Sequence, residues 1–259
     1  MAAPGRAGGS LALAAERAGH RIVGVVSRSG ALADRFRQLS MGAVLPAADL
    51  LVIGTRDADI ERTAAAMAPM CGRVRAAIHL SGYQPLSGLA PLEAVGCETG
   101  SFHPLQTLPD PVTGSRALAG SWVAVTGGPP LSDRLFDLAV SLGMRPFAVA
   151  DDCKPLYHAG AAAASNFVIS ALDLAQTLFD HAGLPFAALQ PLAARAVANA
   201  FEHGPRESLT GPIARQDWET VAGHLRAAAE LGPERLAQFR AMTAATAVTA
   251  GRTLPEGLG

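Results

Sequence analysis

Strand-like apolar runs alternate with helical patterns as far as Val149, and from Lys154 onward only helical patterns recur. Alternation of that kind specifies strands joined by helices, hence a parallel sheet with helices packed on it. Its abrupt end marks a second region, all helical. We place an α/β domain at 1–150 and a helical substrate and dimerisation domain at 151–259. A chain of 259 residues is long enough for both. Hydrophobic residues make up 49% and charged residues 17%, which supplies a core and argues against disorder.

The same numbers exclude some partners. A net charge of −1 gives no basic field for nucleic acid. No uninterrupted apolar run has the length of a bilayer span, so no membrane partner is expected. Cys71, Cys97 and Cys153 are odd in number and lack zinc spacing, as expected for reduced thiols in a cytoplasmic protein.

The chain begins with Ala3-Pro4-Gly5-Arg6-Ala7-Gly8-Gly9-Ser10, which runs into an Ala-rich helix and then a strand at Arg21–Val26. This is the second half of a strand–turn–helix–strand unit. Set against the pattern GxGxxG, Ala3 takes the first glycine position, Gly5 the second and Gly8 the third. Such glycines allow a tight turn, close approach to a pyrophosphate and close helix packing. The helix start then offers N–H groups and a positive dipole end to phosphate. Gly5, Arg6 and Gly8 are therefore candidate cofactor contacts. The strand that should precede the turn is absent, because only Met1 and Ala2 stand before it. Either that strand lies upstream, or the sheet does without it. A central parallel strand is costly to omit, which favours the first alternative.

Arg28 lies twenty residues beyond Gly8, where NAD-binding folds place an acid for the ribose hydroxyls. Here Ser27-Arg28-Ser29 stands instead, which suits a 2′-phosphate and so NADP rather than NAD. Thr55 and Arg56 follow the next strand, Asp49–Ile53, and are candidate ribose or nicotinamide contacts. Later strand ends bring His79-Leu80-Ser81-Gly82 and His103-Pro104-Leu105-Gln106-Thr107 to one edge of the sheet. Ser81 and His103 could hold the polar end of a small substrate. No further metal ligand stands near either histidine, so no metal is expected.

Lys154 is the sole lysine, among twenty arginines. A desolvated lysine can release its proton near neutral pH, whereas arginine cannot. His158, Ser165 and Asn166 follow on a helical pattern running to about His181. Polar residues in an apolar helix are expensive unless paired or used. Lys154 and His158 are the candidate proton donors, and Asn166 the candidate for orienting a carbonyl oxygen.

Together these residues resemble a family with a Rossmann-like NADP-binding domain followed by the helical domain of unknown function 2520. That family is similar in architecture to 6-phosphogluconate dehydrogenase, pyrroline-5-carboxylate reductase and ketopantoate reductase. The resemblance rests on the glycine turn ending at Gly8, His79–Gly82, Phe102–Thr107, Tyr157–Ala159 through Ser165-Asn166, and Leu209–Pro212 with Arg215 and Asp217. The chain departs from ketopantoate reductases at Ala162, four residues before Asn166, where they resemble one another in carrying lysine. The resemblance implies an NADP-dependent oxidoreductase that passes hydride between nicotinamide and a small carbonyl or imine. A 2-oxo acid such as ketopantoate is the first substrate class to test, by analogy. It also implies a homodimer formed through the helical domain. The competing expectation is a non-catalytic NADP-binding sensor or scaffold.

Overall fold

The computed structural model describes residues 1–259 and divides into two compact units, Met1–Ala162 and Ala163–Gly259. The first unit is built on a five-stranded sheet in sequential order. Its strands are β1 (Ala48–Ile53), β2 (Val74–His79), β3 (Glu98–Leu105), β4 (Trp122–Gly127) and β5 (Arg145–Ala148). β1, β2 and β3 are parallel, as are β4 and β5, but β4 runs antiparallel to β3, with Gly100 opposite Gly127. The sheet is therefore mainly parallel, as expected, with one antiparallel pair between β3 and β4.

Successive residues of β1 serve opposite faces. Val52 packs with α1 (Gly5–Arg17) and α5 (Leu131–Ser141), through Leu11, Ala14, Leu131 and Leu135. Leu51 and Ile53 pack with α2 (Ile60–Met67) and with Leu92 of α3 (Ala90–Glu93). This two-residue period is what the apolar run in a doubly covered strand demands. α1 also lies against α4 (Pro111–Ala117). A Cβ on Gly9 would stand 2.8 Å from Pro111 Cγ, so the close approach of these two helices requires glycine there.

The middle of the sheet is unusual. Arg21–Val26 does not form a regular strand; only Val25 and Val26 make bridges. Met1–Ala3 lies between that segment and β1. Ala2 N–H donates to Val52 O (2.8 Å), and Ala2 O accepts from Gly54 N–H (3.0 Å). On the other side Ala3 N–H donates to Val26 O (2.8 Å), and Val26 N–H to Met1 O (2.9 Å). Val25 in turn bridges Gln38. The spatial order is thus Gln38, Val25–Val26, Ala2, β1, β2, β3, a doubly wound order whose first strand is a three-residue stub. Its direction of winding reverses between Ala2 and β1, and crevices at such reversals receive ligands.

The second unit is helical: α7 (Val168–His181), α8 (Gln190–His203), α9 (Pro212–Arg215), α10 (Trp218–Ala229) and α11 (Pro233–Ala250). Asp217 caps α10 by accepting from Thr220 N–H at 3.2 Å. Its buried core is small and centres on Ile213, Val221, Ala247 and Ala250. Large apolar side chains remain outside it, among them Ile169 (60% exposed), Leu192 (68%) and Phe201 (87%).

The helical stretch Asp151–His181 comprises α6 (Lys154–Ala162), a π-helical turn (Ala163–Phe167) and α7. By length and a mean hydropathy of 1.2 it could cross a membrane, although the sequence reading found no unbroken apolar run of that length. Ser165, Asn166 and Asp173 interrupt it, and Asp173 pairs with Arg235 at 2.7 Å inside the helical unit.

Candidate active site

The reversal point carries the first half of the site. α1 starts at Gly5, whose φ of +51° is open to glycine at no steric cost. Pro4 has no side chain that could cap the helix, and its first turn holds no acid, so its dipole end is left for an external anion. The turn touches the loop after β1. A Cβ on Gly54 would stand 2.6 Å from Pro4 O, and one on Gly5 would stand 2.9 Å from Gly54 O. Backbone meets backbone here and nothing larger fits. Gly8 is buried in the same contact, beside Pro4 and Gly54.

Two cavities open from this junction. One, of about 520 Å³, is lined by Gly5, Arg6, Gly54, Thr55, Arg56 and His103. The other, of about 360 Å³, is lined by Ser27, Arg28, Thr55, Arg56 and Arg62. Thr55 borders both, and its buried Oγ1 has no hydrogen-bond partner. Ser27 Oγ accepts from Ala31 N–H (3.2 Å) and lies 3.2 Å from Ser29 Oγ. Arg62 and then Arg56 hold the Asp59 carboxyl below its ordinary range. An uncapped helix start, an orphaned hydroxyl and an arginine-rich second cavity fit a dinucleotide with an extra phosphate.

The second half is a polar wall made by the ends of β2 and β3 and by α6. Its centre is His103, whose Nδ1 lies 2.6 Å from the Tyr157 hydroxyl. A Cβ on Gly82 would stand 2.7 Å from that same nitrogen, so the loop can close over the imidazole only as glycine. Burial, then the charge of His158, pushes His103 down to about 4. Burial pushes Tyr157 up to about 12. Both groups are neutral at pH 7. A phenol is the better donor and a bare imidazole nitrogen the better acceptor, so the proton between them belongs to Tyr157 and the ring proton to Nε2. His158 stands edge-on to His103 at 5.9 Å, and Tyr83 edge-on to His158 at 6.0 Å.

The other candidates of the wall are fully engaged. Ser81 Oγ donates to Asp57 (2.7 Å) and accepts from the N–H groups of Tyr83 (3.1 Å) and Gln84 (2.9 Å). It shapes the loop and has no hydrogen left for a ligand. Lys154 is 2% exposed; its Nζ donates to Gln84 O at 2.7 Å and pairs with Asp151 at 3.3 Å. Asp151 also accepts from Leu86 N–H at 3.1 Å. Burial pushes the lysine down and Asp151 resists the shift. Lys154 thus ties the start of α6 to the loop after β2. His79 is fully buried: Nδ1 accepts from Ser81 N–H (3.2 Å), Nε2 has no partner, and burial drives it down to about 3. Ser165 and Asn166 lie in the π-helical turn that opens the other unit, with Ser165 Oγ 3.4 Å from Asn166 Oδ1. Tyr157 stood in the sequence only within a stretch that carries the family resemblance and was given no role. Besides that resemblance, the signal for a role was a tyrosine three residues after an isolated lysine, on a helix following the last strand.

Residues 121–246 match the family described as domain of unknown function DUF2520. The match begins inside the sheet, one residue before β4, and takes in most of the helical unit. No curated protein matches the chain. A Bacteroides fragilis structure, described there as a candidate NADP oxidoreductase, superposes with a TM-score of 0.79 at 22% identity, over 95% of this chain and 96% of that one. The reductive aminase of Aspergillus terreus, in complex with NADPH and ethyl levulinate, gives 0.66 at 16% identity over 97% and 93%. The imine reductase of Streptomyces aurantiacus gives 0.63 at 14% over 96% of each chain. At these identities the likeness is one of fold.

Proposed function

We propose that this chain, whose residues 121–246 match DUF2520 and whose sheet is Rossmann-like, is an NADP-dependent reductase of a small carbonyl or imine compound. The observation that carries this reading is the orphaned Thr55 Oγ1 at the reversal point, beside an uncapped helix start and Arg28. Gly5, Arg6 and the N-terminus of α1 would hold the pyrophosphate. Ser27, Arg28 and Ser29 would hold the 2′-phosphate, and Thr55 a ribose hydroxyl. The cofactor, when bound, supplies the hydride.

The chain's own residues position the substrate and manage the proton. Hydride addition leaves the former carbonyl oxygen or imine nitrogen with the electron pair of its π bond. His103 Nε2–H binds that atom and gives it a proton. Tyr157 holds the imidazole in the tautomer that makes this possible, and as the Nε2 proton leaves, Nδ1 takes the phenol proton across their 2.6 Å contact, the tyrosinate so formed being reprotonated from water. A positioned donor of this kind is worth about 10²–10⁴ in rate. Lys154, expected as a donor, becomes a positioning residue, and Ser81 likewise. His158 packs against His103 and serves as the alternative donor. The wall favours an uncharged carbonyl or an imine over a 2-oxo acid, because its one lysine is committed to Asp151 and Asp57 adds negative charge behind Ser81.

The helical unit would dimerise through the apolar side chains that α7 and α8 leave exposed, including Ile169, Leu192 and Phe201. Sedimentation equilibrium tests that part. The reductase reading is tested by calorimetry with NADPH and NADH, followed by NADPH oxidation with a panel of cyclic imines, ketones and ketopantoate. Tight NADPH binding with turnover of an imine or ketone supports the reading. Tight binding without any turnover supports a non-catalytic NADP protein, and failure to bind either nucleotide rejects both.

A further inference from the structure

Two buried thiols stand outside the mechanism. Cys71 lies in the turn between α2 and β2, and Cys97 immediately precedes β3. They are 1% and 3% exposed and belong to one apolar cluster, among Met67, Met70, Val74 and Leu92. Both engage Val74, the first residue of β2. Cys71 O accepts from Val74 N–H at 2.8 Å, and Cys97 Sγ donates to Val74 O at 3.6 Å. The β2–β3 ladder pairs Ala76 with Glu98, which sets Cys97 one step earlier, beside Arg75. Cys71 Sγ donates to Met67 O at 3.1 Å. The two thiols are also in direct interaction, and each moves the other's proton affinity.

The third cysteine is too far away to compete. Cys153 precedes α6, next to Lys154, which binds Gln84 O beyond the C-terminal end of β2. Cys71 and Cys97 stand at the N-terminal ends of β2 and β3. The six residues of β2, at about 3.3 Å each, put about 20 Å between the two ends. A bridged pair needs its Cα atoms within about 7 Å. Burial, then Cys97, pushes the Cys71 thiol up to about 11, and burial raises Cys97 as well. Exchange needs a thiolate and access to it, so the closed native pair is inert. The pair reacts while this part of the sheet folds or opens.

We infer that Cys71 and Cys97 are a latent staple, which closes to a disulfide when the unit folds or opens in the presence of a small disulfide such as glutathione disulfide. One protein thiolate attacks the small disulfide, forms a mixed disulfide and releases one small thiolate. The other protein thiolate attacks the protein sulfur of that mixed disulfide and expels the second. The two protein thiols lose two hydrogens and two electrons, and the small disulfide leaves reduced, as two thiols. The bond closes a loop of about 26 residues and removes that freedom from the unfolded chain. It also joins two strands whose other ends carry the Ser81 loop and His103. The staple thus holds the frame on which the polar wall stands.

The test unfolds the full chain in urea and refolds it in a buffer of reduced and oxidised glutathione. Remaining thiols are then alkylated and the peptides mapped by mass. We expect a linked Cys71–Cys97 peptide, lighter than its two parts by two hydrogens, with Cys153 outside it. The oxidised protein should melt about 5 °C above the reduced one, and dithiothreitol should reverse the rise. Cys97→Ala should lose this redox-dependent difference. Recovery of the two thiols alkylated or as separate glutathione adducts, or of either bonded to Cys153, would overturn the inference. So would a Cys71–Cys97 bond that leaves the melting temperature unchanged or lowers it, or a difference that persists in Cys97→Ala. Neither readout involves NADP, so the outcome is independent of the reductase reading.

Discussion

The polar wall around His103 and the centre of the sheet around Met1 stand on the same sheet and solve burial in opposite ways. In the wall, nearly every buried polar atom has a partner: Ser81 with Asp57, Lys154 with Gln84 and Asp151, His103 with Tyr157. In the centre, the Met1 amine and two ladder edges face a cleft. The lesson is that side chains can brace one another across long sequence separations, whereas a backbone edge can be satisfied only by another backbone of the right direction. The wall is therefore rigid as it stands, and the centre is the part whose stability responds to the charge on one amine.

The largest effect should come from breaking the brace. Lys154→Met leaves Gln84 O and Asp151 without their buried cation and should cost about 2–3 kcal/mol of stability, below the range for a fully buried pair because Asp151 is partly exposed. Urea denaturation measures it. Unchanged stability with lost turnover would instead restore Lys154 as the proton donor.

Acid should separate the two regions by pH. The Met1 amine, at about 6 when folded and 8.0 when free, binds fewer protons folded than unfolded in between. Stability should therefore fall by about 2 kcal/mol as pH drops from 8 to 6. His79, at about 3, and His103, at about 4, are likewise depressed from 6.5. Their contribution is full above pH 6.5 and is lost as pH falls towards 3. Acetylating the α-amine should abolish the first window and leave the second, as thermal melts across pH would show.

Tyr157→Phe should lower kcat about tenfold with little change in KM, because it removes support for the proton donor and not a substrate contact. The smallest effect belongs to Thr55→Val. Replacing an orphaned buried hydroxyl should leave stability unchanged or raise it by about 0.5 kcal/mol, while calorimetry records NADPH binding weakened about threefold.

Much of the first unit was legible from local pattern. The glycine turn and the place of Arg28 follow from spacing along the chain, and the structure sets them at the reversal point, where Met1–Ala3 forms a short strand that the sequence reading took to be absent. Arg21–Val26 reads as a strand because its residues favour one, but a strand exists only through its neighbours, and here one neighbour is three residues long. The reversed direction of β4 left no mark, since strand periodicity is the same either way. The wall was half-legible. His103 stood out as a strand-end histidine, but its partner Tyr157 lies 54 residues away and joins it only through tertiary packing. Ser81 and Lys154 drew notice by residue type, which cannot say whether a polar group faces a ligand or another part of the chain.

The sole lysine has a practical consequence. With Lys154 buried, the native fold presents no accessible lysine amine. Amine-directed reagents should acylate Lys154 readily in the unfolded chain and slowly in the native one. The extent of acylation thus becomes a direct gauge of how often the molecule opens.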